Sequence, residues 1–356
     1  MFKQILLLLF LLLAVTNGRN LHEINFRWSN LYPESFIWDS NSDHFIAGSL
    51  HNHNLISVSD AGVTSSLISS AASALPPNSS FLGLALEPRH RTRLFAVVHR
   101  RDPPYNALAS YDLRTFRQLF LTPLDDLLPS PIVANDVAVD YHGNAYVTDS
   151  ANDVIFKVDQ NGVASILSES KMFKSYPVDP TVFYHKCGLN GVVYNSKGYL
   201  LVTQSNTGKL FKVDVDDGTA RRVLLNKDLT AADGIAVRSD GVVLVVSRYK
   251  LYFIKSDDSW SEGVVFDETA LQEEKQASAV TVGAEDRVYV LYGHVDEGIM
   301  GNVEREEFSI VEVESGKESE GENVWIFVLI GLGLAYFLIW RFQMKQLVNN
   351  MNKKTS

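Results

Sequence analysis

Residues 135–162, NDVAVDYHGNAYVTDSANDVIFKVDQNG, decide the fold. A polar residue, Asn135, opens a short apolar strand of Val137, Ala138 and Val139. A turn follows at Tyr141-His142-Gly143-Asn144, and a second strand ends in Asp149-Ser150. A third strand, 154–158, closes on the turn 159–162. The same grammar returns at Asn190 (NGVVYNSKGYLLVTQSNTGKLFKVDVDDG) and at Asp233 (DGIAVRSDGVVLVVSRYKLYFIKSDD). It is degraded but legible at Glu34 (ESFIWDSNSDHFIAGS), Leu82 (LGLALEPRHRTRLFAV) and Ser278 (SAVTVGAEDRVYVLYG). Six copies, 43 to 55 residues apart, indicate a repeat architecture.

Short strands with Gly, Asp and Asn turns, and no long amphipathic helix among them, read as all-β. Radial repetition protects the sheet edges. The expected body is a six-bladed β-propeller of four strands per blade over residues 19–316. Residues 21–28 alternate and supply a candidate strand to close the ring. Blade one is expected over 34–62, followed by a loop at 65–80. Blade two is expected over 82–115, with an excursion at 100–104 and a connection at 123–131. Residues 172–188 lead into blade four, and an insertion at 294–305 precedes the last strand, 308–313.

The chain of 356 residues is 46% hydrophobic, enough for one large core, and carries a formal charge of −10. Its single cysteine, Cys187, rules out an intramolecular disulfide framework. Lys3 near the start and Arg341, Lys345, Lys353 and Lys354 near the end leave about −15 on the body between them. A body that acidic is a poor nucleic-acid binder.

Both ends are apolar. Residues 1–18 combine Lys3, an unbroken apolar run and Thr16-Asn17-Gly18, the pattern of a secretory signal peptide. Residues 324–340, VWIFVLIGLGLAYFLIW, are uncharged, and at about 1.5 Å per residue extend about 26 Å, enough for a thin bilayer. An acidic spacer (317–323) precedes them and a basic tail (341–356) follows, the polarity of a single-pass type I protein with its body luminal. Lys353-Lys354 resembles the dilysine retrieval signal of endoplasmic reticulum membrane proteins, which coat proteins read on the cytosolic side. Asn78-Ser79-Ser80 is a glycosylation sequon, placed on the luminal side by this topology.

Aligned on their first strands, the six units open with Glu34, Leu82, Asn135, Asn190, Asp233 and Ser278. In a propeller this strand is innermost, so four oxygen-bearing side chains would converge at one mouth of the central channel. Two carboxylates and two amides suit Ca²⁺, and less well Mg²⁺ or Mn²⁺. With no thiolate or histidine in the column, zinc is not the first choice. Taken singly, Asn135 or Asp233 is an ordinary turn residue; the recurrence argues for a metal site. The ends of the second strands fall at the same mouth, making His99 and Asp149 candidates for substrate contact, with His185 added from the loop before blade four. Gly-x-Ser-x-Gly, a Gly-rich phosphate loop and a thiol-protease arrangement are all missing from the sequence.

NDVAVDYHGNAYVTDS, LNGVVYNSKGYLLVTQS and ADGIAVRSDG resemble the superfamily of gluconolactonase, senescence marker protein 30, luciferin-regenerating enzyme and calcium-dependent phosphotriesterases. Paraoxonase-like and strictosidine-synthase-like propellers are more distant relatives. The similarity spans about residues 30–316. It implies a catalytic divalent cation held by Glu34, Asn135, Asn190 and Asp233, with Asp233 acting as base or nucleophile on a lactone or ester. The family's usual Glu-Gly-Pro is here Glu34-Ser35-Phe36, and no arginine matches the one that many gluconolactonases use on sugar acids. Two other functions fit the same fold: a metal-stabilised propeller that binds a protein or glycan, and a metal-free condensing enzyme of the strictosidine-synthase type.

Overall fold

The computed structural model describes residues 21–51, 54–68, 75–179, 181 and 186–354, with the side chains of 319–327 and 352–354 set aside. The expected signal peptide, His185, and the side chains of Lys353 and Lys354 fall outside these limits.

Leu21–Val313 form one unit built of six antiparallel sheets. From the axis outward, blade one is Phe36–Asp39, His44–Ala47, Leu55–Ser59 and Thr64–Ile68. Blade two is Ser80–Leu86, Arg93–Arg100, Tyr105–Asp112 and Arg117–Pro123. Blade three is Ala134–Val139, Ala145–Asp149, Val154–Val158 and Ala164–Ser168. Blade four is Leu189–Asn195, Tyr199–Gln204, Lys209–Asp214 and Ala220–Arg222. Blade five is Ala232–Val237, Val243–Ser247, Lys250–Lys255 and Glu262–Ala270, with Leu224–Leu225 added in parallel at its outer edge. Blade six is Ala277–Val282, Val288–Tyr292, Glu307–Glu312 and, from the start of the body, Glu23–Arg27. That last strand closes the ring, pairing from Glu23 opposite Val311 to Arg27 opposite Glu307.

Local chemistry explains the hairpins. In blade three the Asp140 carboxylate accepts hydrogen bonds from His142 N, Asn144 N, Asn144 Nδ2 and the Tyr146 hydroxyl, all at 2.8–2.9 Å. Gly143 supplies the left-handed backbone the turn needs (φ 84°). Two boundaries differ from the sequence expectation. Residues 64–68, inside and beside the expected loop at 65–80, and 117–123, past the expected end of blade two at 115, are the outer strands of blades one and two. One face of each is in water, so they carry Ser, Thr, Arg and Gln in place of a clean apolar alternation.

The blades pack face to face through six hydrophobic clusters, one at each interface. Phe95 and Val147 meet between blades two and three; Phe211 and Tyr146 meet between three and four. Phe26 and Phe45 lie between six and one. The core is therefore a ring around the axis, and the inner strands leave an open channel at its centre.

The insertion in blade six contains a short helix, α1 (Val295–Met300). Beyond the body, α2 (Gly316–Lys354) is one continuous helix of 39 residues. Its Val328–Met351 stretch, mean hydropathy 1.3, is long and apolar enough to cross a membrane.

Candidate functional site

The inner strands share a defect. Pairing with the second strand breaks between Ala134 and Val137, between Leu189 and Val192, and between Ala232 and Ile235. Similar breaks occur in blades two and six. Each is a bulge, which releases a residue from the ladder and re-aims it. The released pairs are Asn135-Asp136, Asn190-Gly191 and Asp233-Gly234. The second position is glycine where the next blade comes too close: a Cβ on Gly191 would lie 2.4 Å from the Asp233 carbonyl oxygen.

These bulges border one axial cavity of 280 Å³, lined by Glu34, Asn135, Asp136, Asn190, Asp233 and Ser278 among others. Glu34, Asn135, Asn190 and Asp233, named from the sequence column, are thus brought together from blades one, three, four and five. The next layer holds them. Thr148 Oγ1 donates to the Asn190 carbonyl at 2.6 Å, and Thr203 Oγ1 to the Asp233 carbonyl at 2.9 Å. Ser150 Oγ and Ser205 Oγ donate to the Leu189 and Ala232 carbonyls, both at 2.6 Å. The bulges of blades four and five are therefore each tied to the preceding blade by a Thr in its second strand and a Ser just past that strand's end.

Among the described residues, no group of three or more His, Cys, Asp and Glu side chains is arranged to hold a metal. The column instead combines two carboxylates with two carboxamides. Its own unsatisfied groups test whether a cation fits. Asn135 Oδ1 is buried with no hydrogen-bond partner. Burial and the charges of Asp233 and Asp136 push Glu34 well above the usual carboxylate range. Burial likewise pushes Asp233 up to about 7, against a hydrogen bond from Asn190. Carboxylates that repel one another around an orphaned amide oxygen form a donor set that a hard cation would satisfy. Asp136 is pushed up to about 7 by burial, but its oxygens are occupied by Val192 N (2.9 Å) and Val137 N (2.8 Å). It braces the bulge against blade four.

A stability prediction follows. The folded-state pKa values of these acids lie above the roughly 4 of an unfolded carboxylate. The native state therefore holds more protons between about pH 4 and 7, and stability falls as pH rises through that window. Chelator-treated protein is expected to melt at a higher temperature at pH 5 than at pH 8, with a smaller drop in Asp136→Asn. Differential scanning fluorimetry across that range checks it; a pH-independent melting temperature in both proteins would contradict it.

The other sequence candidates are placed elsewhere. Asp149 is fully buried and spent on backbone, accepting from Val133 N (2.8 Å) and Ala151 N (3.0 Å). His99 Nδ1 is paired with Asn106 Oδ1 at 2.8 Å, and neither residue lines the cavity. Asn78 is exposed in a left-handed turn (φ 61°), open to modification. Cys187 lies beside the site, its Sγ 3.6 Å from Asn190 Nδ2, and burial pushes its thiol up to about 11.

Sequence reasoning passed over Asp136, although the Asn-Asp pair was in view; it placed Ser247-Arg248 at the end of a second strand but did not pair Arg248 with Asp296. Ser247 pairs with Ala232, so Arg248 follows directly at the end of the ladder. Its guanidinium forms an ion pair with Asp296 of α1, and its Nε is buried without a partner. The charge of Asp296 also reaches Asp233. His51 Nε2 holds the Gly298 carbonyl at 2.6 Å, so blades one and five both grip α1.

No protein-family model and no curated protein matches the sequence. Solved structures do match. Mala s 1, the major allergen of Malassezia sympodialis, superposes with a TM-score of 0.69 at 17% identity, covering 82% of this chain and 96% of its own. A gluconolactonase from Xanthomonas campestris gives 0.57 at 13%, covering 85% and 93%. A luciferin-regenerating enzyme gives 0.54 at 12%, covering 83% and 98%. The chain is a six-bladed β-propeller whose fold matches that of the gluconolactonases and the luciferin-regenerating enzyme, at low sequence identity.

Proposed function

We propose that this protein is a divalent-metal-dependent hydrolase of lactones or esters, with Ca²⁺ the first choice and Mg²⁺ or Mn²⁺ the alternatives. One observation carries the reading: Glu34, Asn135, Asn190 and Asp233 line a single axial cavity, with an orphaned amide oxygen and mutually repelling carboxylates among them. A divalent cation held there supplies Lewis-acid polarisation of a carbonyl or phosphoryl oxygen and a water of lowered pKa. The protein's own part is proton handling and orientation. Asp233 is the base or nucleophile at the channel mouth. Asn190 orients it by donating a hydrogen bond. The apolar α2 helix is proposed as a single-pass membrane anchor, and Asn78 as a glycan acceptor.

A second reading is a non-catalytic propeller that keeps the ion for rigidity. It is favoured by the likeness to Mala s 1, which is named for allergenicity and not for a reaction. The deciding experiment measures metal content and thermal stability of the purified full chain with and without chelator, then screens lactones, aryl esters and phosphotriesters. About one bound cation, destabilisation by chelator and metal-dependent turnover are expected. A bound ion without turnover would favour the second reading. Neither ion nor chelator effect would remove the metal and leave a metal-free condensing enzyme or binding scaffold.

A further inference from the structure

The turns joining first to second strands, and third to fourth, lie at the end of each blade opposite the acidic cavity mouth. On that far face, between blades two and three, is a groove of 530 Å³ lined by Arg89, His90, Arg93, Tyr141, His142 and Gln160, with Glu87 as its acid. Two guanidiniums and two imidazoles against one carboxylate stand out on a body of about −15.

The groove is organised around Arg93. Its guanidinium carbon lies 4.7 Å from the Phe95 ring centroid and 5.0 Å from that of Phe120. Nε donates to Ser110 Oγ at 2.7 Å and Nη2 to the Gln160 carbonyl at 3.2 Å, while Nη1 makes no hydrogen bond to the described residues. A planar cation clamped in this way loses little side-chain entropy when it takes a further acceptor. Burial lowers the Arg93 pKa and the Glu87 charge raises it, so part of its charge is already balanced locally. Arg89 and His142 are both exposed and both line the groove. The loop bearing His142 is held by the Asp140 hydrogen bonds, which also keep that carboxylate engaged with its own turn. Beside them the Tyr141 ring is 43% exposed and held edge-on to Tyr194, with centroids 6.0 Å apart, a free face for a flat organic group.

We propose that this groove binds a phosphate monoester, its oxygens on Arg93, Arg89 and an imidazole N–H and its organic part against Tyr141. A phosphate monoester carries about −1.5 to −2 at pH 7, which matches the two guanidiniums in charge and in fork geometry. The ester is either a soluble metabolite or the headgroup of a phosphorylated lipid, which share this chemistry.

The test titrates the full chain, in detergent, with O-phosphotyrosine and with inorganic phosphate. In parallel it measures binding to phosphatidylcholine vesicles with and without a phosphatidylinositol phosphate. Binding of the soluble ester, weakened at least about tenfold in Arg89→Ser and in Arg93→Lys, supports the groove and a soluble ligand. Binding confined to phosphoinositide vesicles, with the same losses, supports the groove and a lipid headgroup. Arg89 is exposed, so its variant probes recognition without disturbing the core. No binding to any probe overturns the proposal. So does binding that survives both arginine variants, or that is lost in Asp233→Asn instead, which would place the phosphate at the opposite mouth.

Discussion

Asp233→Asn is expected to lower turnover of any lactone or ester substrate by roughly 10³-fold, within the 10²–10⁴ attributable to a positioned base. The shape of the side chain is kept, so the bulge, the Thr203 hydrogen bond to the Asp233 carbonyl and the blade interface remain. What changes is charge. One of the two carboxylates in the column is neutralised, the repulsion acting on Glu34 is relieved, and the residue can no longer accept a proton. Metal affinity should fall as well, because a carboxamide oxygen is a weaker partner for Ca²⁺ than a carboxylate. Steady-state kinetics beside metal content separate the two effects. Turnover lost at saturating metal identifies the base, and turnover restored by excess metal reduces Asp233 to a ligand. Wild-type turnover in the variant under both conditions would remove it from the mechanism.

Phe26→Ala should produce the largest loss of stability, about 3–5 kcal/mol. Phe26 is 2% exposed on the strand that closes the ring. Its ring lies 5.9 Å from Phe308, in the cluster that joins blade six to blade one. This cluster packs the last blade against the first, so a cavity here weakens closure of the ring as well as packing. For a body of this size the loss corresponds to a fall of roughly 5–8 °C in melting temperature. Val63→Ala, on a residue 67% exposed, should move it by less than about 1 °C. Calorimetry on both variants is the check, and equal shifts would refute the closure argument.

The sequence by itself determined the repeat, and the repeat determined the fold. Asn135, Asn190 and Asp233 each begin an apolar strand followed by a glycine turn, and that local pattern is enough to count blades. It also allowed the ring-closing strand and the axial column to be named, because in a propeller equal positions in the repeat are equal positions around the axis. The outer strands at 64–68 and 117–123 were not legible, since a half-wetted edge keeps no strict alternation.

Tertiary structure alone decided which polar residues face the cavity. Thr148-Asp149-Ser150 and Thr203-Gln204-Ser205 repeat as plainly as the column itself and end at the same mouth. Yet their side chains are consumed by backbone and side-chain partners around them. Asp136 and Asn135 are neighbours in one bulge, but one is bonded to Val192 N while the other keeps a buried oxygen free. Arg248 and Asp296 are 48 residues apart and share no motif; only the packing of α1 against blade five pairs them and brings the charge of Asp296 to Asp233. The physical reason is common to all of these. Periodicity states which residues leave the ladder, whereas the hydrogen-bond partners that claim or spare them come from the adjacent blade, across a gap the linear pattern does not encode.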